Sequence, residues 1–167
     1  AEAMRRHDCY PVAAAALGRT MTGALLLAAN LKNKESVTIK FKGDGPLGTV
    51  TADATAEGSV RGYVGHPHVN IPLNPHGKID VGGGIGAGIL SVTRFTGLKE
   101  PVTGSVDITN GEVAEDLINY LYTSEQTPSS IGLGVLVSPD LKCLGAGGFF
   151  IQPLPGASDE TIDRLEE

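Results

Sequence analysis

The chain contains no tryptophan, and aromatic residues of all kinds make up only 5% of its 167 positions. A core without large rings has to be built from aliphatic side chains, and the apolar fraction of 41% can supply them. Positive charge is also scarce. Lys and Arg number 13 against 19 Asp and Glu, a net charge of −6, and no Lys/Arg stripe appears. Nucleic-acid binding rests on neutralising phosphates, so nucleic acid is excluded as the expected partner. Cysteine occurs twice, at Cys9 and Cys143. Neither stands in a CxxC pair, which excludes a local zinc or dithiol motif and leaves two free thiols in a reducing cytoplasm as the expectation. A disulfide between them is the alternative. An unbroken membrane-length apolar run is missing too. Val12 to Leu31 comes nearest, but Gly18, Arg19, Thr20 and Thr22 interrupt it, so a buried core helix is expected and no membrane partner.

What is present is glycine, 23 residues without a collagen-like period, suited to turns and close strand packing. Pro11 fits a first helical turn, and Val12 to Lys32 follows with apolar residues on nearly every side. Such a helix must be covered all round, so it is expected between layers of sheet. Val37, Ile39 and Phe41 alternate with Thr38, Lys40 and Lys42 in a half-buried strand. Further strands are predicted at residues 47–52, 59–64, 89–95 and 102–108, with an irregular excursion over residues 66–88. A helix is predicted from Asn110 to about Ser124, then a hairpin of Ile131–Ser138 and Lys142–Gln152 turning at Pro139-Asp140, and a last helix from Asp159. The fold class is therefore α+β: two mostly antiparallel sheets packed around buried helices in a single domain.

Candidate sites are few. Gly43-Asp44-Gly45-Pro46-Leu47-Gly48 matches GxGxxG, but Pro46 removes one N–H and a strand follows, so a hairpin turn is expected. Gly82 to Gly88 looks more like a phosphate loop. It too leads into a strand and lacks the Lys-Ser/Thr of a P-loop, so a flexible loop or bulge is expected. Gly145, Gly147 and Gly148 suggest a bulge or close backbone approach inside a strand. His66, His68 and His76 lack a completing ligand and read as solvated loop residues. Ser124-Glu125-Gln126 with Ser129-Ser130 offers hydroxyls near an acid, yet neither a nearby histidine nor a nucleophile elbow accompanies them. Helix termination ahead of Pro128 explains them. Glu112, Glu115 and Asp116 complement a helix N-terminus. No catalytic, cofactor-binding or metal-binding residue is assigned, and an enzyme is not expected.

Several segments together resemble the 33-kilodalton heat-shock protein family, the redox-regulated bacterial chaperones. They are Glu2-Ala3-x-x-Arg6-His7 with Pro11, Ala15, Leu17 and Gly18; Gly43-Asp44-Gly45-Pro46; Val60-Arg61-Gly62-Tyr63-Val64; Gly104 with Gly111-Glu112 and Asp116; Tyr120 with Ser124-Glu125-Gln126-x-Pro128-Ser129; and Ala146-Gly147-Gly148-Phe149 with Gln152 and Pro155-Gly156. They run in order along essentially the whole chain, and the ordered set is far more specific than any member.

The resemblance implies a chaperone core over residues 1–156, its N-terminal strand region missing, and the start of a linker helix over 157–167. It also implies a C-terminal zinc and redox domain, absent here, whose four cysteines Cys9 and Cys143 do not match. Zinc is thus expected only in that missing domain. The implied function is an ATP-independent holdase in the cytoplasm, a homodimer whose partners are unfolded or misfolded proteins. In the full-length family protein, oxidation and zinc release activate it. Ile131–Val137 and Phe149–Leu154 are candidate sticky segments, although they read equally well as core strands, so client-binding residues are not assigned. Two alternatives remain: a structural dimerisation module with exposed sheet edges, and a small-molecule enzyme using the Gly82–Gly88 loop.

Overall fold

The computed structural model describes residues 1–166 and, for side chains, residues 1–164. Its centre is helix α2, Pro11–Ala28, with proline in its first turn, preceded by the short helix α1, Glu2–Arg6. Ala13, Ala16, Leu17, Ala24 and Leu27 of α2 are essentially inaccessible to solvent. Even Thr20 is fully buried, its hydroxyl donating to the Ala16 carbonyl at 2.8 Å. By length and composition alone α2 could cross a membrane. Here protein covers it instead, with one sheet on each side.

The larger sheet has five antiparallel strands in the order β3-β2-β1-β4-β5. These are β1 Ser36–Gly43, β2 Thr49–Thr55, β3 Val60–Val64, β4 Gly88–Phe95 and β5 Val102–Asp107. The period-two alternation sets its register. Val37, Ile39 and Phe41 pair across to Ala54, Ala52 and Val50 on one side, and Ile39 and Phe41 pair to Val92 and Leu90 on the other. All of these except the pairing groups of the backbone face the core, and each side chain is fully buried. Full burial of one Val, Leu, Ile or Phe side chain contributes roughly 1.5–3 kcal/mol, so this face and α2 hold much of the stability.

The second sheet is the hairpin β6 Ser130–Val137 and β7 Cys143–Ile151. Helix α4, Ala114–Glu125, fills the angle between β5 and β6, and α5, Asp159–Glu166, ends the described part. The remainder of the segment expected as a linker helix, Glu167, lies outside the described residues. Glycine allows α2 to approach the hairpin and α4. A Cβ on Gly18 would lie 2.6 Å from Val135 Cγ2, and one on Gly23 would lie 2.7 Å from Leu117 Cδ1.

Two expectations are corrected. Residues 66–88 are not wholly irregular: Val81–Ile85 forms helix α3, with Val81, Gly84 and Ile85 buried. The 3.6-residue pattern was too short to reveal one glycine-rich turn. The helix expected from Asn110 begins at Ala114 instead. Gly111 and Val113 take positive φ of 72° and 78°, a backbone that cannot continue a right-handed helix.

Candidate functional site: an apolar hairpin face

The register of β6 and β7 divides the hairpin into two faces. Ile131, Leu133 and Val135 pair with Phe150, Gly148 and Ala146. This face looks toward α2, where Ile131 is buried and Leu133, Val137 and Phe150 pack against the core. The alternate pairs are Ser130–Ile151, Gly132–Phe149, Gly134–Gly147 and Leu136–Gly145, and they look outward. Leu136 is 62% exposed and Phe149 54%, with Ile151 exposed beside them. Between these side chains runs a floor of glycine. Added Cβ atoms at Gly134, Gly145 and Gly147 would meet nothing within 4 Å, so bare backbone is open to solvent there. Leu154, beyond the end of β7, is 81% exposed. The sheet has two strands, so among the described residues each strand keeps one unpaired edge.

Glycine at Gly145, Gly147 and Gly148 therefore has two meanings. Only Gly148 shows the expected close approach, since its Cβ would collide with the Gly132 carbonyl. The others open the outer face. The ladder irregularity falls at Leu136/Val137, near the turn. Period-two patterning could not separate these roles, because a glycine carries no sign of which face it serves.

The other sequence candidates serve the fold. The Gly43–Gly48 turn and the Gly82–Gly88 segment interlock: Gly45 N–H donates to Ile85 O at 2.9 Å, Leu47 N–H to Gly84 O at 3.0 Å, and Ala87 N–H to Asp44 Oδ1 at 2.8 Å. The Gly83 N–H is taken by Asp80 Oδ1 and the Gly82 N–H by Glu112 Oε1. Far from a flexible loop, this is a satisfied junction whose donors are already committed, so it does not present a phosphate cradle. His68 Nε2 lies 3.0 Å from Asp8 Oδ2, while His66 sits against the Gly48 turn and His76 is on an exposed loop. The three do not converge.

Glu112 is not a helix-dipole residue. It precedes α4, receives Arg19 Nη1 at 2.6 Å and holds Gly82 N–H at 3.0 Å, joining α2 to α3. Glu115 lies at the surface against Asn110 Nδ2. Asp116 is fully buried and its carboxylate accepts three backbone N–H groups, from Thr109, Asn110 and Val113, at 2.6, 3.2 and 3.0 Å. It reaches back from the third helical position to the residue before the helix, which is half of a capping box. Ser124-Glu125-Gln126 does end a helix, with Gln126 at φ 53°. Sequence reasoning missed its second role. Glu125 accepts both Arg94 Nε at 2.7 Å and Nη2 at 3.0 Å, and the Tyr120 hydroxyl donates to it at 3.1 Å. Gly104 of β5 leaves room for Tyr120 and Ser124. Burial, and next the Glu125 charge, push the Tyr120 hydroxyl's pKa above the ordinary 10.0.

A family model described as Hsp33 protein matches residues 1–167. A Bacillus licheniformis protein named 33 kDa chaperonin is 54% identical over 166 residues, covering 99% of this chain and 57% of that protein. The protein of the same name from Bacillus subtilis is 52% identical over 167 residues, with the same coverage. The crystal structure of a 33 kDa chaperonin from Thermotoga maritima superposes with a TM-score of 0.85 at 47% identity, covering 90% of this chain and 52% of that one. The chain thus spans little more than half the length of the relatives it matches.

Proposed function

The chain belongs to the Hsp33 family, and on that premise we propose that it is the client-holding core of an ATP-independent chaperone, with the outer face of β6–β7 as the holding surface. The observation that carries this is the exposed face of Leu136, Phe149 and Ile151 over a glycine floor. Unfolding proteins present extended apolar segments. Such a segment can lie flat on bare glycine backbone, bury its side chains against Leu136 and Phe149, and pair its own backbone with an open strand edge. Binding of this kind is non-directional in its apolar part and so tolerates many sequences. The net charge of −6 keeps a loaded complex soluble.

Redox activation belongs to the same proposal only at the level of a longer protein. Among the described residues no three His, Cys, Asp or Glu side chains stand close enough to hold a metal, so the zinc implied by the family resemblance does not fit this chain, and nothing in the holding surface depends on it.

Light scattering of thermally unfolding citrate synthase tests the reading. The triple variant L136S/F149S/I151S replaces only outward-facing side chains, so its unfolding midpoint should stay near wild type while suppression of aggregation falls several-fold. Undiminished suppression by a folded variant would overturn the assignment. If suppression survives and the sedimentation coefficient of the chain drops instead, the face is a contact between copies and not the holding surface.

A further inference from the structure

Cys9 and Cys143 are the only cysteines in the sequence and lie at opposite ends of the chain, yet both line one cleft of about 620 Å³. Met4 and Tyr10 form its α1 side, and Lys142 and Leu144 form its hairpin side. We propose that this cleft is a thiol-oxidation site, in which a peroxide converts Cys143 and Cys9 into an intramolecular disulfide.

Access assigns the order of events. Cys143 is partly exposed at the first position of β7, whereas Cys9 is only 6% exposed. Burial, with a smaller contribution from the Asp8 carboxylate, pushes the Cys9 thiol up and protects it from direct attack. The Cys143 thiolate attacks peroxide: an S–O bond forms, the O–O bond breaks, and hydroxide leaves and takes a proton. The Cys9 sulfur then attacks the sulfenic sulfur of Cys143. The S–S bond forms, the S–O bond breaks, and the departing oxygen carries away the Cys9 proton as water. Two thiols lose two electrons, and one peroxide becomes two waters.

The two walls differ in how firmly they are held. Cys9 N–H donates to Met4 O and Tyr10 N–H to Pro67 O, both at 2.9 Å, which fixes the α1 side. The hydrogen bonds of the turn Ser138–Lys142 are internal to it: Ser138 N–H to Lys142 O, Leu141 N–H to Ser138 O and Lys142 N–H to Ser138 Oγ, with Lys142 also paired to Asp140. The turn joins the body through the irregular pairing at Leu136/Val137, which is where a hairpin bends most readily. A disulfide requires the Cα atoms to come within about 7 Å, and an inward swing of the turn about that irregularity closes the cleft to reach it. This inference does not rest on the holding surface, which lies on the opposite face of the hairpin.

Treatment of the chain with equimolar hydrogen peroxide, followed by non-reducing peptide mapping of monomer, is the test. The expected product is a linked pair of peptides carrying Cys9 and Cys143, two hydrogens lighter than the thiols and restored by dithiothreitol. In C9S or C9A, Cys143 should stop at a sulfenic acid trapped by dimedone; in C143S, Cys9 should stay alkylatable after unfolding. Two results would overturn the proposal: wild-type Cys143 oxidised while Cys9 remains a free thiol, or disulfides found only between separate chains. The wild-type result stands even if a Cys9 variant fails to fold.

Discussion

The two sheets that cover α2 share an inner chemistry and differ on their outer faces. Both turn aliphatic residues toward the helix. Outside, the middle of the five-stranded sheet is hydroxyl-rich and charged, with exposed Ile89, Phe95 and Tyr63 toward its strand ends: Ser91 and Ser105 hydroxyls lie 3.0 Å apart across β4 and β5, Thr93 and Thr103 2.9 Å apart, and Asp53 binds Thr38 and Arg61. The hairpin shows Leu136, Phe149 and Ile151 over glycine instead. A chain that places polar cross-strand pairs on one outward face has the means to do so on the other. The apolar face is therefore not a shortage of polar residues, and it is this exposure on which the proposed holding role rests. The large sheet supplies stability, and the hairpin supplies the surface proposed for contact.

The strongest way to break the comparison is through Asp116, which belongs to the stable half. Its buried carboxylate holds three N–H groups at the start of α4. Asp116→Ala leaves those donors without a partner, and hydrogen bonds to charged groups are worth about 1.5–3 kcal/mol each. A loss of at least ~3 kcal/mol is expected in urea unfolding, with the large sheet and the hairpin lost in one transition because α4 touches both. A loss under ~1 kcal/mol would show that α4 is not the joint between the two sheets.

Gly18→Val attacks the hairpin side alone. Its first side-chain carbon would sit 2.6 Å from Val135 Cγ2, and overpacking of this kind typically costs about 1–3 kcal/mol. The expected loss is ~2 kcal/mol, and hydrogen exchange should place it in residues 130–151, with β1, β2 and β4 still protected. Uniform loss of protection would mean that the hairpin is as integral to the core as the large sheet.

Most of this architecture could be read from the sequence, because alternation and helical apolarity report burial directly. Val37, Ile39 and Phe41 marked the core face of β1, and the all-round apolarity of α2 announced a helix between layers. What stayed hidden depends on side chains distant in sequence meeting in space. Arg94 and Glu125 have no local pattern that joins them, nor do Arg19 and Glu112, so local physics assigned the acids to helix-dipole or turn roles. The face proposed for holding was half legible. Ile131–Val137 and Phe149–Leu154 were apolar candidates, but alternating glycines conceal direction, and only the register showed that Leu136, Phe149 and Ile151 point outward while Ile131 and Leu133 point inward. The pairing of Cys9 and Cys143 in one cleft was likewise invisible to spacing.

The smallest expected effect concerns pH and again separates the halves. Tyr120 is buried under the large sheet beside Glu125, and its pKa lies above the ordinary 10.0. The folded state then keeps a proton that the unfolded state releases. The corresponding stability is complete below pH 10 and is lost as pH rises through the folded-state pKa, since stability falls wherever the folded state binds more protons. Tyr120→Phe removes this titration along with one hydrogen bond, worth about 1 kcal/mol. At neutral pH the variant should be slightly less stable than wild type. Above pH 10 the difference should shrink, because only wild type has a group there whose ionisation the fold opposes. Urea midpoints at pH 7 and pH 10.5 decide the matter. A wild-type alkaline loss that Tyr120→Phe leaves unchanged would place the titrating group elsewhere and remove Tyr120 from the features that distinguish the stable half from the hairpin.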